Sequence, residues 1–294
     1  MKKILVLGGT RFFGKRLVER LVERQEDVTI VTRGNAPDPF GGAVKRLRAD
    51  RTDPDALRAA IGSSSYDVVY DNICYTPQEA EEAARLFDGR VGKYIVTSSL
   101  SVYPFGEVRL TEADFDPYRY PLPEPYPEKA DYAEGKRLVE AVLFQKAAFP
   151  AAAVRFPIVL GPDDYTRRLH FHVEHVLRGQ PIGVPNEGAV MSFISSEEAA
   201  SFLDWLGGSG LEGPVNACSG GEASPGRVIA MIEEAAGKRA RVLRETEDAD
   251  MSPFGVPAPW HMDTAKAEAA GYSFRPLGEW LPPLIREIVA ETES

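Results

Sequence analysis

Tyr132 and Lys136 stand four residues apart in the run Asp131-Tyr132-Ala133-Glu134-Gly135-Lys136. On a helix that spacing puts a phenol and an ammonium on one face. A free tyrosine titrates at about 10, too high for efficient proton transfer at neutral pH, and a nearby cation lowers it. The pair therefore reads as an acid/base aimed at a substrate oxygen, with Lys136 also able to bond a nicotinamide ribose. Ser99 ends the run Lys93-Tyr94-Ile95-Val96-Thr97-Ser98-Ser99, a strand closing in hydroxyls, and would orient the same oxygen.

A second constellation lies at the start of the chain. Gly8-Gly9-Thr10-Arg11-Phe12-Phe13-Gly14 follows the apolar run Lys3 to Leu7 and precedes Leu17, Val18, Leu21 and Val22 at helical spacing. Strand, glycine turn and helix in that order form a phosphate-binding element: the helix N-terminus offers free N–H groups, and glycines let the backbone come close. Arg11 occupies the place of a central glycine. At the end of the second strand an acid would favour a ribose 2′-hydroxyl and an arginine a 2′-phosphate. The sequence there is Thr32-Arg33-Gly34-Asn35, so Arg33, with Arg11, leans toward NADP over NAD.

The elements that must position these groups alternate. Strands are expected at Lys3–Leu7, Val28–Thr32, Val44–Leu47, Asp67–Asp71, Lys93–Ser99 and Ala153–Phe156, and helices at Lys15–Glu23, Pro54–Ile61 and from Asp131 onward. Such alternation predicts an α/β fold, a doubly wound parallel sheet of Rossmann type with a smaller C-terminal α/β substrate lobe. Residues 1–160 form the dinucleotide-binding part, completed by sheet segments from 190–220, and 161–294 supply most of the second lobe. The proline-rich stretch from Tyr118 to Lys129, with Pro117 just upstream, reads as a loop or lid.

The 294 residues carry a net charge of −10, which disfavours a polyanion-binding surface and hence a nucleic-acid partner. Cys74 and Cys218 form neither a ligand spacing nor a disulfide framework. With no long apolar run, a cytoplasmic protein without membrane attachment is expected. His170, His172 and His175 lack a completing ligand, so no metal site is expected. Phe12 and Phe13 would pack on the sheet, and Trp205, Trp260 and Trp280 would pack the core or lobe. Arg167 and Arg168 fit equally an anionic substrate or a solvated helix start.

Gly8 to Gly14, Thr97-Ser98-Ser99-Leu100-Ser101-Val102-Tyr103, Tyr132 to Lys136 and Arg155 to Pro162 occur in the order of the extended short-chain dehydrogenase/reductase superfamily. The chain resembles its NAD-dependent epimerase/dehydratase branch, and the Gly-Gly-Thr-Arg-Phe-x-Gly turn is similar to that of an atypical subgroup including chloroplast stem-loop-binding proteins. This resemblance implies Tyr132 as acid/base, Lys136 as its tuner and Ser99 as the orienting hydroxyl. It further implies Asp50 near the adenine, the Asn72-Ile73-Cys74 backbone beside the dinucleotide, Thr97 within the same wall, and Pro157 and Val159 near the nicotinamide. Nucleotide-sugar epimerases commonly place an Asn and an Arg, both serving the UDP- or dTDP-sugar, where this chain has Ile158 and Met191.

The leading reading is an NAD(P)-dependent oxidoreductase or epimerase/dehydratase acting on a carbonyl or hydroxyl of a small, sugar-like substrate. The alternatives are a dinucleotide-binding regulatory or RNA-associated protein without turnover, and a redox-sensing pseudo-enzyme. A homodimer is implied by the superfamily.

Overall fold

Seven strands form one parallel sheet, most of them short buried runs, with the largely exposed run Lys45–Arg48 at one edge. In a computed structural model, residues 1–35 and 37–293 are described. Ala36 and Ser294, which fall within the expected 1–160 and 161–294 segments, lie outside the described residues. The first half runs β1 (Lys3–Leu7), α1 (Phe12–Glu23), β2 (Asp27–Thr32), β3 (Lys45–Arg48), α2 (Pro54–Ile61), β4 (Tyr66–Asp71), α3 (Pro77–Leu86), β5 (Val91–Ser99), α4 (Tyr132–Lys146) and β6 (Ala151–Phe156). There follow β7 (Ile158–Leu160), α5 (Arg168–Arg178), β8 (Pro181–Gly183), β9 (Phe193–Ser195), α6 (Ser196–Gly208), β10 (Gly213–Asn216), α7 (Pro225–Ala236), β11 (Arg241–Leu243), α8 (Ala265–Ala269) and α9 (Leu277–Glu293).

The sheet order is β10-β6-β5-β4-β1-β2-β3. Strand order reverses between β1 and β4, and the carboxyl ends flanking such a switch leave a crevice for a ligand. One face of the sheet is covered by α1 and α6 through Leu17, Val18, Phe202 and Leu203. The other carries α2, α3 and α4 through Leu57, Ala80, Val139 and Val142. The fold is thus α/β with a doubly wound Rossmann sheet. A further apolar cluster joins α5, α7 and α9 around Val173, Val228, Ile232 and Ile285, beside the parallel pairs β8–β11 and β7–β9. Among the described residues no helix is long and apolar enough to cross a membrane.

His172 on α5 is wholly buried. Its Nδ1 donates to the Arg168 carbonyl at 2.8 Å, Nε2 accepts from the Ser252 hydroxyl at 2.7 Å, and the ring stacks on Phe254. A carbonyl only accepts, so Nδ1 carries the proton, and in the neutral ring Nε2 is the acceptor. Burial pushes the imidazole down to about 4. The unfolded chain, titrating at about 6.5, therefore binds a proton that the folded state refuses, and stability falls as pH drops through that window. Going from pH 7.5 to 5.0, urea unfolding should reveal a loss of about 2 kcal/mol from this group alone. In His172→Gln the pH slope should flatten by that amount; identical slopes in both proteins would refute the assignment.

Candidate active site

A cavity of about 840 Å³ runs from the carboxyl ends of β1, β2 and β4 to the junction with the second lobe. Its floor is the turn between β1 and α1. A Cβ at Gly14 would collide with the Gly8 carbonyl oxygen, and Gly8 itself takes a left-handed φ of +79°. Both positions therefore demand glycine. Helix α1 begins at Phe12, earlier than the apolar periodicity predicts, because the glycine turn closes directly into the first helical turn. No side chain caps that turn, and its residues Thr10, Arg11, Phe12 and Phe13 line the cavity.

Asn72 ties this turn to the neighbouring strand. Its amide approaches the Gly8 carbonyl at 3.4 Å, and its Oδ1 accepts from Thr97 Oγ1 at 2.8 Å. Ile73 also lines the cavity, whereas the Cys74 side chain is buried behind the wall. Burial pushes that thiol up to about 12. At the far end Arg33 lies 3.9 Å from Asp50, whose carboxylate accepts from the Thr52 amide and hydroxyl at 2.9 and 2.8 Å. Those bonds hold Asp50 below the usual carboxylate range.

The other end gathers the groups that can move a proton. Asp131 caps α4 by accepting from the Glu134 amide at 2.8 Å, so the helix starts at Tyr132. Gly135 lets the helix approach the chain opposite: a Cβ there would stand 2.7 Å from the Tyr75 carbonyl oxygen. Lys136 consequently reaches across, its Nζ donating to the Cys74 carbonyl at 2.9 Å and the Thr97 carbonyl at 2.7 Å. It also sits 4.5 Å from the Tyr75 ring centroid and 5.7 Å from that of Tyr132. Burial lowers the Lys136 pKa.

Tyr132 is half exposed and lines the cavity, and desolvation raises the phenol above its ordinary value. The Ser99 hydroxyl opposes that shift, and Arg168 opposes it through charge. The four-residue spacing predicts Lys136 as the tuning cation. In the structure Lys136 is held by two carbonyls beside the Tyr132 ring, and Arg168 is a further cation whose charge lowers the phenol pKa. Pro157 and Val159 complete this end, as predicted positions that line the cavity.

Matching residues 4–216 is a family model described as the NAD dependent epimerase/dehydratase family. The chain belongs to this family. It is 29% identical over 223 residues to the chloroplast stem-loop binding protein of 41 kDa b of Arabidopsis thaliana, covering 70% of this chain and 55% of that protein. With the 2′-dehydrokanamycin reductase of Streptomyces kanamyceticus it shares 24% identity over 202 residues, 68% of this chain and 56% of the relative. The chain thus matches about half the length of these relatives. Among solved structures, the UDP-glucose 4-epimerase of Thermus thermophilus in complex with NAD superposes with a TM-score of 0.73 at 20% identity, covering 99% of both chains.

Several lining residues were not predicted. Tyr75, Tyr165, Pro253, Val256 and Trp260 all face the cavity, the last four from segments after β7. Trp260, predicted as packing, does pack on Phe105 at 4.5 Å between centroids, while another part of it lines the cavity. These residues lie outside regular helices and strands, where no periodicity marks a buried face. His172 and His175 bond to Ser252 and Asp250, and among the described residues no three metal-ligating side chains converge.

Proposed function

We propose that the protein is an NAD(P)-dependent oxidoreductase or epimerase/dehydratase acting on a carbonyl or hydroxyl of a small, sugar-like substrate. One observation carries this reading: Ser99, Tyr132 and Lys136 meet at one end of a single cavity whose other wall is the uncapped glycine turn. The turn fits a dinucleotide because its two glycines leave the space that a Cβ would fill. Gly8, Thr10 and Arg11 to Gly14 would hold the pyrophosphate, Arg33 and Asp50 the adenosine end, and Asn72, Ile73, Thr97, Pro157 and Val159 the remainder. A bound nicotinamide supplies or accepts hydride.

The chain's own residues handle the proton. Tyr132, whose phenol desolvation holds above its ordinary value, donates to a carbonyl oxygen during reduction and must lose that proton to work in reverse. Ser99 orients the same oxygen. Lys136, fixed on the Cys74 and Thr97 carbonyls, places a buried cation beneath Tyr75 and beside Tyr132.

The preferred cofactor is NADP. Arg11 and Arg33 are exposed at the rim, and an arginine there suits a 2′-phosphate. Replacing Arg33 by alanine should weaken NADPH binding about tenfold or more, as expected for loss of a charge-assisted bond, and leave NADH binding unchanged. Equal affinity for both cofactors in the parent protein would contradict the preference. We place the activity in the cytoplasm, consistent with two buried free thiols. A second reading, stem-loop RNA binding, is favoured by the name of the Arabidopsis relative and opposed by the net charge of −10. Retention of a stem-loop RNA at low salt decides it.

A further inference from the structure

The paired arginines Arg167 and Arg168 separate completely in the structure. Arg167 takes a left-handed φ of +53° and turns outward to pair with Glu174. Arg168, at the first position of α5, turns into the cavity and lines it beside Thr166 and Tyr165.

Arg168 is held there by a built arrangement. Its Nε donates to Thr166 Oγ1 at 2.8 Å, and Nη2 reaches the Val159 carbonyl at 3.4 Å. The Thr166 hydroxyl in turn donates to Asp164 Oδ1 at 2.6 Å, and the Thr166 amide donates to the same oxygen at 3.0 Å. Asp164 is buried, with its other carboxylate oxygen 3.7 Å from Arg168 Nε and 3.4 Å from the Arg168 amide. Nη1 of Arg168 makes no hydrogen bond among the described residues, which leaves an N–H donor pair without a protein acceptor.

The surroundings favour an anion at that donor pair. The two carboxylates lining the cavity, Asp50 and Glu79, come from the β3 and α3 side of the sheet. From β7 onward the chain lines it instead with Ile158, Met191, Val256 and Trp260, together with Arg168. A cation against apolar walls attracts an anion more strongly than one in open water.

We propose that Arg168 is the specificity-determining residue of this site, holding an oxyanion, carboxylate or phosphate, carried by the substrate whose hydroxyl or carbonyl meets Tyr132. Asp164 and Thr166 are its positioning residues. The substrate class is therefore a small hydroxy or oxo acid or phosphate. This rests on the dinucleotide reading above, since it assigns the space that the cofactor leaves.

The test uses protein saturated with NADPH, so that the glycine turn is filled, titrated calorimetrically with inorganic phosphate or with malonate. Wild type should bind one of these probes, and the one it binds distinguishes phosphate from carboxylate. Binding should weaken at least about tenfold in R168Q and stay unchanged in R167Q. NADPH affinity should be unchanged in both variants. Probe binding that is absent, or equal in wild type and R168Q, overturns the proposal while the dinucleotide reading stands. A tenfold loss of NADPH affinity in R168Q also overturns it, by placing Arg168 in the cofactor pocket. Failure of wild type to bind NADPH overturns both.

Discussion

Glu140→Ala is expected to destabilise the protein by about 3–5 kcal/mol, because it leaves a buried guanidinium without its counter-charge. Glu140 on α4 and Arg155 on β6 are both fully buried. Arg155 donates to Glu140 through Nε at 3.0 Å and Nη2 at 2.6 Å. Its remaining N–H groups reach the Tyr103 hydroxyl at 2.6 Å and the Glu112 and Phe115 carbonyls at 3.1 and 3.0 Å. The Ser98 hydroxyl adds a further bond to Glu140. This network fastens α4, which carries Tyr132 and Lys136, to β5, which carries Ser99. Urea unfolding of Glu140→Ala, Arg155→Met and the double variant Glu140→Ala/Arg155→Met measures the effect. The double variant should lose less than the sum of the single losses, since no lone charge remains buried. Strict additivity, or a loss below about 1 kcal/mol in Glu140→Ala, would contradict the role given to the pair.

Tyr132→Phe should lower turnover by about 10²–10⁴-fold on any carbonyl or hydroxyl substrate that the parent protein accepts. The phenol is the group at this end of the cavity that faces the Ser99 hydroxyl, and phenylalanine retains the ring while removing the proton. NADPH affinity should change by less than about twofold, because the ring contact with Tyr75, 6.4 Å between centroids, survives. Steady-state rates and cofactor titration on the same preparations separate the two effects. A rate within about twofold of the parent would remove Tyr132 from the chemistry.

The sheet was legible because its strands are continuous apolar runs. Lys3–Leu7 and Pro54–Ile61 were predicted at their observed bounds, and β2, β4 and β5 within two residues. Helix α3 escaped prediction: its buried stripe is Ala80, Ala83, Ala84 and Leu86, too small to stand out as a periodic apolar face. The capping box of Thr76 and Glu79, with Pro77 between them, was the local signal that marks its start. The glycine turn and the Tyr132–Lys136 spacing were legible as short-range patterns. What Lys136 touches was not, because the Cys74 and Thr97 carbonyls are brought to it only by the close approach that Gly135 permits. Buried charges were equally hidden. The partners of Glu140, Arg155 and the Arg51–Asp71 pair come from distant parts of the chain, and only tertiary contacts supply what lets these charges be buried.

The most direct measurement is titration of purified protein, first checked for bound nucleotide, with NADPH and NADH followed by nicotinamide fluorescence. Saturable binding, tighter for NADPH, is the expected result of a glycine turn and an arginine-bearing rim facing one cavity. Well-folded, nucleotide-free protein that binds neither cofactor would contradict the assignment of that cavity to a dinucleotide.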